Sequence, residues 1–452
     1  MAVDLERLVD EFVELTADFS DLDFRAPYGR LDMKTWIPDV NCLRIELQWP
    51  LGTELQLASV LLSANGLDDP VADTIRRASS TWDEGFAAML ENGDLFEQRR
   101  STAAVRTKSE VRPWLEIEFT APVDLKRVRL RNVGGQGAWG SNTWTRGIQI
   151  LVRTSDGWWS TIYDGWERER EFQHRVELKF GGRLATRAIE TKVRRRLGRE
   201  RTAGPHYVEG DLVRIVAGIY IGIYNNLQIF RDLQRLELSH EEIARFQQLI
   251  TDKLLRRRRM EFNPHGIRRT FRFWSKDEKV QYLQFAVDVV GYLRELNDNV
   301  CLGFGSVLSI VRDRKLIPHD DDLDIIIGFE PKQASSITDG LQLVRRCLRR
   351  NGLKVSANYM GHLWAYPPWG GPKVDVFVSI FEGDSIAWYP SRRGTLTRDI
   401  VFPAAQRSLM GIQRPVPRRP KAYLEKVYGP GWVSPDPSHQ HPKMANEWID
   451  IR

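Results

Sequence analysis

The spacing of hydrophobic positions changes character twice along the chain. The first ~30 residues carry apolar side chains at helical period, and the stretch to residue 185 then breaks into short alternating segments separated by Gly, Asn, Asp and Pro. Leu43–Gln48, Glu54–Leu61, Trp114–Phe119, Arg127–Asn132, Gly147–Arg153 and Trp159–Tyr163 are the predicted strands, and their spacing suits an all-β sandwich. Helical period returns afterwards, over Asp211–Asp232, over the run from Ser239 to Arg259, and over Lys276–Asn297. Ser239 followed by Glu242 is the spacing of a capping box, which satisfies the orphan amides at a helix start. The chain therefore reads as multidomain: an N-terminal helix over 1–30, a β-sandwich over 31–185, a helical connector over 186–275 and an α/β domain over 276–452.

At 452 residues and 42 % hydrophobic content the chain is long enough for several cores. The opening MAVDLERLVDEFVELTADF has acids where a secretory leader carries bases, so it reads as an amphipathic helix. Three cysteines, Cys42, Cys301 and Cys347, are too few and too scattered for a disulfide framework, which fits a reducing, cytoplasmic setting. The apolar stretch Ile215–Phe230 falls short of the ~20 residues needed to span a bilayer and reads as a buried helix. A net charge of +6 favours anionic partners. The basic runs Arg194–Arg196 and Arg256–Arg259 have no interleaved aromatics to stack on bases, so nucleic acid is not the expected partner. A solvated face, or peripheral contact with the inner face of a membrane, remains for them.

Chemistry concentrates in FGSVLSIVRDRKLIPHDDDLDIII, Phe304–Ile327. Asp320, Asp322 and Asp324 share strand parity, while Leu323, Ile325 and Ile327 point the other way, into a core. Carboxylates so gathered raise one another's pKa unless a cation joins them, and hard divalent ions, Mg²⁺ or Mn²⁺, suit an all-oxygen set. Asp375 is a lone acid in the apolar strand KVDVFVSIF, Lys373–Phe381, and a metal shared with Asp322 and Asp324 supplies the partner that burial demands. Gly305 and Ser306 open a helix where backbone amides and a hydroxyl can meet phosphate. Arg312 is a candidate phosphate clamp, and His362, in the hairpin that leads to Asp375, is either a substrate contact or an ordinary sheet histidine. Trp364 and Trp369 flank the hairpin turn, as stacking platforms or as packing. His439 and His441 sit two apart in a Pro-rich tail that reads as solvated.

Two resemblances follow from these residues. Pro113–Gly135 with Arg146–Gly165 resembles discoidin-type, galactose-binding-like sandwiches, which implies a carbohydrate-binding module with the loop Gly134–Thr145 as contact surface. Trp139 and Trp144 in that loop either stack on sugar or plug the sandwich end.

GSVLSIVRDRKLIPHDDDLD, Gly305–Asp324, resembles the signature of the LicD family, which includes fukutin and fukutin-related protein, and Pro415–Trp432 is similar to that family's closing motif. The resemblance spans roughly Asp277–Pro437; Ser309 stands where the family usually has glycine, and His319 where tryptophan is common. It implies a nucleotidyltransferase-fold catalytic domain. It also implies transfer of a phospho-group, such as phosphorylcholine or a polyol phosphate, from a CDP-linked donor to a sugar hydroxyl of a cell-surface glycan. Carried over, Asp322, Asp324 and Asp375 are catalytic and hold the metal, Asp375 alternatively taking the acceptor's proton. Gly305, Ser306 and Arg312 bind donor phosphate, and Asp320 is a further ligand. Two rivals stand beside this: a nucleotidyltransferase moving a nucleoside monophosphate to a small molecule, and a carbohydrate-binding protein with a decayed transferase domain.

Overall fold

The computed structural model describes residues 4–26, 29–49, 52–64, 74–92, 104–133, 145–181, 205–222, 226–236, 238–263, 266–356, 361–368, 372–388, 391–435 and 447–448. They belong to two compact units, Met1–Arg268 and Arg269–Arg452. The loop 134–144 with Trp139 and Trp144, the run Arg194–Arg196, Trp369, and the pair His439 and His441 lie outside the described residues.

The first unit opens with α1 (Leu5–Thr16), capped by Asp4, whose carboxylate accepts the Arg7 amide at 3.1 Å. Then come β1 (Arg30–Leu47), β2 (Gln56–Ala64), β3 (Thr74–Ala78), α2 (Glu84–Asn92), β4 (Val105–Arg106), β5 (Trp114–Asn132), β6 (Ile148–Thr154) and β7 (Trp159–Asp164). The β-rich region expected from the sequence is present, and its strands hydrogen-bond as one seven-stranded antiparallel sheet, β4-β2-β5-β1-β6-β7, with β3 also on β5. β1 and β5 each serve both halves of it. Arg30–Ile37 pairs with Leu125–Arg131 beside β2, whereas Cys42–Glu46 pairs with Trp114–Glu118 between β3 and β6.

The register slips between those halves, around Ile37 and Val40. Pro38 and Pro122, one on each strand, lie in that stretch and donate no ladder hydrogen bond, and Asp39 takes a φ of 61°. Leu31, Val60 and Val128 from one half share a hydrophobic core with Ile45, Ile117 and Ile150 from the other.

A second core belongs to the helices. α3 (Gly165–Phe180), α4 (Pro205–Ile221), α5 (Asn226–Gln234) and α6 (His240–Ile250) pack with α1 around Phe12, Phe172, Phe180, Tyr220 and Phe246. The segment read as a connector thus carries, with α1, a core of its own. The helix predicted over Asp211–Asp232 breaks at Gly222, whose φ of 73° suits glycine. α6 has the predicted capping box: Glu242 N–H donates to Ser239 Oγ at 3.1 Å, and Ser239 N–H to the Glu242 carboxylate at 2.7 Å. The basic run after α6 is no uniform solvated face, because Arg258 is buried and donates to Asp23 and to the Tyr220 carbonyl. The hairpin β8 (Glu261–Asn263) and β9 (Gly266–Arg268) ends the unit.

The second unit runs α7 (Lys276–Arg294), β10 (Val300–Leu302), α8 (Phe304–Val311), β11 (Asp324–Phe329), α9 (Ile337–Arg350), β12 (Lys354–Ser356), β13 (His362–Tyr366), β14 (Val374–Glu382), β15 (Ser385–Ala387), α10 (Arg398–Val401), β16 (Ala405–Leu409), β17 (Ile412–Val416) and α11 (Pro420–Tyr428). Its main sheet has the order β10-β11-β14-β13-β12, with β15 on the far part of β14. β11 and β14 are its parallel pair, joined by a crossover that includes α9. Both strands are apolar and almost wholly buried, as expected of strands covered on both faces. An acid at the start of either is therefore conspicuous. No helix among the described residues is long and apolar enough to cross a membrane.

Candidate active site

The acids gather at one end of the β11–β14 pair. Asp324 opens β11 and stands in direct register with Asp375, the second residue of β14. Asp320, Asp321 and Asp322 lie in the loop before β11, with carboxylate oxygens within 4.8 Å of one another. The ladder therefore starts at Asp324, later than strand parity implied, and other bonds order the loop. The Phe271 amide donates to the Asp320 carbonyl at 2.8 Å, the Leu323 amide to the Tyr282 hydroxyl at 2.8 Å, and the Asp375 amide to the Leu323 carbonyl at 2.9 Å.

Helix α8 supports the cluster from the other side. Ser306, buried, accepts the Asp324 amide at its hydroxyl at 2.8 Å, so it pins the strand start. A Cβ on Gly305 would stand 2.9 Å from Asp320 Oδ2, so only glycine lets that carboxylate lie against the helix start. Phe304, just before, has a φ of 42°, unusual for a bulky residue, and its amide donates to the Tyr423 hydroxyl at 3.0 Å. Tyr423 and Tyr428 belong to α11, so the closing motif and the Gly-Ser turn meet here. Burial pushes the Tyr428 phenol well up, with the negative charges of Asp324 and Asp320 adding to the effect.

Lys373 stands inside the cluster. Its ammonium lies 2.8 Å from Asp322 Oδ2, bonds Asp375 Oδ1, and sits 5.0 Å from the Trp364 ring. Burial opposes its charge, yet Asp322 and Asp375 outweigh burial and raise its pKa. Trp364 Nε1–H donates to Asp375 Oδ2 at 3.2 Å. His362 Nε2 is 3.9 Å from the same oxygen, with its ring stacked on Phe377. Burial and the neighbouring Lys373 lower the imidazole's pKa to about 4, so the ring is neutral at pH 7.

Charge at the site is unbalanced. Burial first, then Asp322, Asp375 and Asp320, push the Asp324 carboxyl well above the usual carboxylate range. Burial and Asp322 raise Asp375 to about 7 against the pull of Lys373. Two carboxylates ~5 Å apart repel by roughly 3 kcal/mol at an effective dielectric near 20, and several such pairs outweigh one ammonium. An all-oxygen, over-charged set of this kind fits a hard divalent cation, with Asp322, Asp324 and Asp375 as its core and Asp320 beside them.

The structure thus brings together Asp320, Asp322, Asp324, Asp375, Gly305, Ser306 and His362. Arg312 is otherwise engaged: its guanidinium forks onto Asp313 at 2.7 and 3.0 Å and donates to the Trp432 carbonyl at 3.3 Å. Sequence reasoning missed Asp321, Lys373, Tyr282 and the two tyrosines of α11. Lys373 was findable, since it shares parity with Asp375 two residues on. A cavity of about 500 Å³ lined by Glu382, Ser385, Arg392, Arg393, Gly394 and Glu447 adjoins the opposite end of β14, where Arg393 already pairs with Glu382.

Residues 297–419 match the family model described as LicD/FKTN/FKRP, nucleotidyltransferase domain. That LicD-family domain takes in α8, the acidic loop, β11 and β14, and it is narrower at both ends than the resemblance read from the sequence. No curated protein sequence matches the chain. Among solved structures, one that is similar is "Crystal Structure of ANT(2")-Ia in complex with adenylyl-2"-tobramycin", at 14 % identity and a TM-score of 0.23, covering 30 % of this chain and 68 % of that one.

Proposed function

We propose, taking the LicD-family domain at residues 297–419 as the premise, that the second unit is a divalent-metal-dependent phosphotransferase. It moves a phospho-group such as phosphorylcholine or a polyol phosphate from a CDP-linked donor to a sugar hydroxyl of a cell-surface glycan, forming a phosphodiester and releasing cytidine monophosphate. The observation that carries this reading is the in-register pairing of Asp324 with Asp375 on buried parallel strands, with Asp322 and Asp320 at the same end.

Asp322, Asp324 and Asp375 hold Mg²⁺ or Mn²⁺, and Asp320 lends a further oxygen. When bound, the ion neutralises charge on the attacking and leaving oxygens of an in-line displacement. The chain's own residues do the positioning. Ser306 fixes the start of β11 through the Asp324 amide, and Gly305 leaves room for Asp320 and donor phosphate at the start of α8. Asp375 completes the oxygen set or takes the acceptor hydroxyl's proton. His362, neutral and beside Asp375, lines the acceptor side. Arg312, paired with Asp313, would clamp donor phosphate by exchanging that partner.

The β-rich region of the first unit serves as the glycan-binding accessory, and the protein works in the cytoplasm or at the inner face of a membrane. The test is incubation with a panel of CDP-linked donors and Mg²⁺ or Mn²⁺. Release of cytidine monophosphate that chelator abolishes is the expected result. Pyrophosphate from a nucleoside triphosphate, with a nucleotidyl product by mass, establishes the nucleotidyltransferase rival instead. Metal-independent or absent turnover on every donor overturns both.

A further inference from the structure

Lys373 is built into the acidic cluster. Its Nζ bonds Asp322 and Asp375, two of the proposed metal ligands, and faces the Trp364 ring. Its backbone is fixed as well, because the Tyr282 hydroxyl donates to the Lys373 carbonyl at 2.6 Å while accepting the Leu323 amide. One buried tyrosine thus ties the lysine to the acidic loop. The aliphatic stem has freedom that this backbone lacks, and an ammonium is a point charge able to exchange one set of anionic partners for another.

We infer that Lys373 is a tethered counter-cation that occupies the place of the metal until a donor's phosphates arrive. This inference rests on the metal-site reading above. An ammonium on Asp322 Oδ2 and Asp375 Oδ1 competes with a divalent ion for those two oxygens and repels its charge, so ion entry favours departure of the lysine. A half-buried ammonium that leaves two carboxylates needs another anion close by, and a nucleoside diphosphate brings one. Metal and donor therefore enter together, each raising the affinity of the other by the same factor. The device keeps the carboxylates from binding divalent ions strongly when no donor is present, and it aims a cation at the donor's phosphate in the loaded site.

The test is calorimetric titration of the full chain with Mn²⁺, with and without CDP, in the wild type, Lys373→Met and Lys373→Arg. In the wild type CDP should raise Mn²⁺ affinity by about 10-fold or more, within the usual range of coupling between sites. Lys373→Met should bind Mn²⁺ alone more tightly than the wild type and lose most of the gain from CDP. Lys373→Arg, which keeps the charge, should retain it, and circular dichroism checks that both variants fold. Coupling in Lys373→Met equal to that of the wild type, or weaker binding of Mn²⁺ alone by a folded Lys373→Met, overturns the inference while leaving the metal site standing. No uptake of Mn²⁺ by the wild type under either condition overturns the metal-site reading and this inference with it.

Discussion

Asp324 and Asp375 face each other across a single interstrand step of the parallel β11–β14 pair. Neighbouring strands lie about 4.8 Å apart, so two carboxylates on one edge of a buried sheet are forced into proximity by the backbone itself. Burial first, and then the neighbouring charge of Asp322, raise the pKa of both, with Asp375 adding to the effect on Asp324.

Removing one of these acids should therefore separate stability from function. Asp324→Asn relieves repulsion in the metal-free protein and should leave its melting temperature unchanged or higher. Asp322→Ala and Asp324→Asn should each weaken Mn²⁺ binding and lower transfer by roughly 100-fold or more, the scale of losing a group that stabilises transition-state charge. Calorimetry and a donor-turnover assay on the same preparations check both halves. Full activity in either variant would sink the carboxylate mechanism.

Gly305→Ala probes the contact between α8 and the acidic loop. The new Cβ meets Asp320 Oδ2 at 2.9 Å, and that atom is the end of a side chain, so the carboxylate moves while the backbone holds. The stability cost should stay near or below about 1 kcal/mol, the low end for overpacking. Mn²⁺ affinity should fall by several-fold because Asp320 is displaced from the cluster. Unchanged affinity together with lost stability would show that Gly305 serves folding alone.

Much of this was legible in the sequence where local pattern and local structure coincide. The alternation of Leu43–Gln48 and Gly147–Arg153 became β1 and β6, and Ser239 with Glu242 became a capping box. Trp114–Phe119 and Arg127–Asn132 read as two strands because Pro122 lies between them, yet they form one strand, β5. Pairing with β1 carries the chain through that stretch, where the register slips opposite Pro38, an event local pattern does not encode. In the site, the acids announced themselves as charges beside isoleucines. Tyr282 and Tyr423 act from helices distant in sequence, through single hydroxyls, and no spacing rule relates them to Leu323 or Phe304. Arg312 pairs with the next residue, Asp313, a contact that the sequence shows as adjacency but that spacing rules do not single out.

The last prediction concerns the first unit and acid stability. Glu169 on α3 is buried and accepts from Arg25 at 2.7 Å, and it also forks onto Arg146. Burial pushes its carboxyl upward, but the hydrogen bonds and charges of Arg146 and Arg25 win, and the folded pKa lies below the ordinary value. A depressed folded pKa means that this stabilisation is fully present above the unfolded value, about 4.3, and is lost as pH falls through the folded one. Glu169→Gln should lower stability at pH 7 by about 3 kcal/mol, since it leaves the buried Arg25 guanidinium without its counter-charge. The gap between wild type and variant should be widest above about pH 4.3 and should narrow as pH falls further, closing only below the depressed folded pKa of Glu169. Scanning calorimetry of both proteins between pH 3 and 7 reads this directly. A gap that stays constant across the whole range would mean that Glu169 acts by shape rather than by charge.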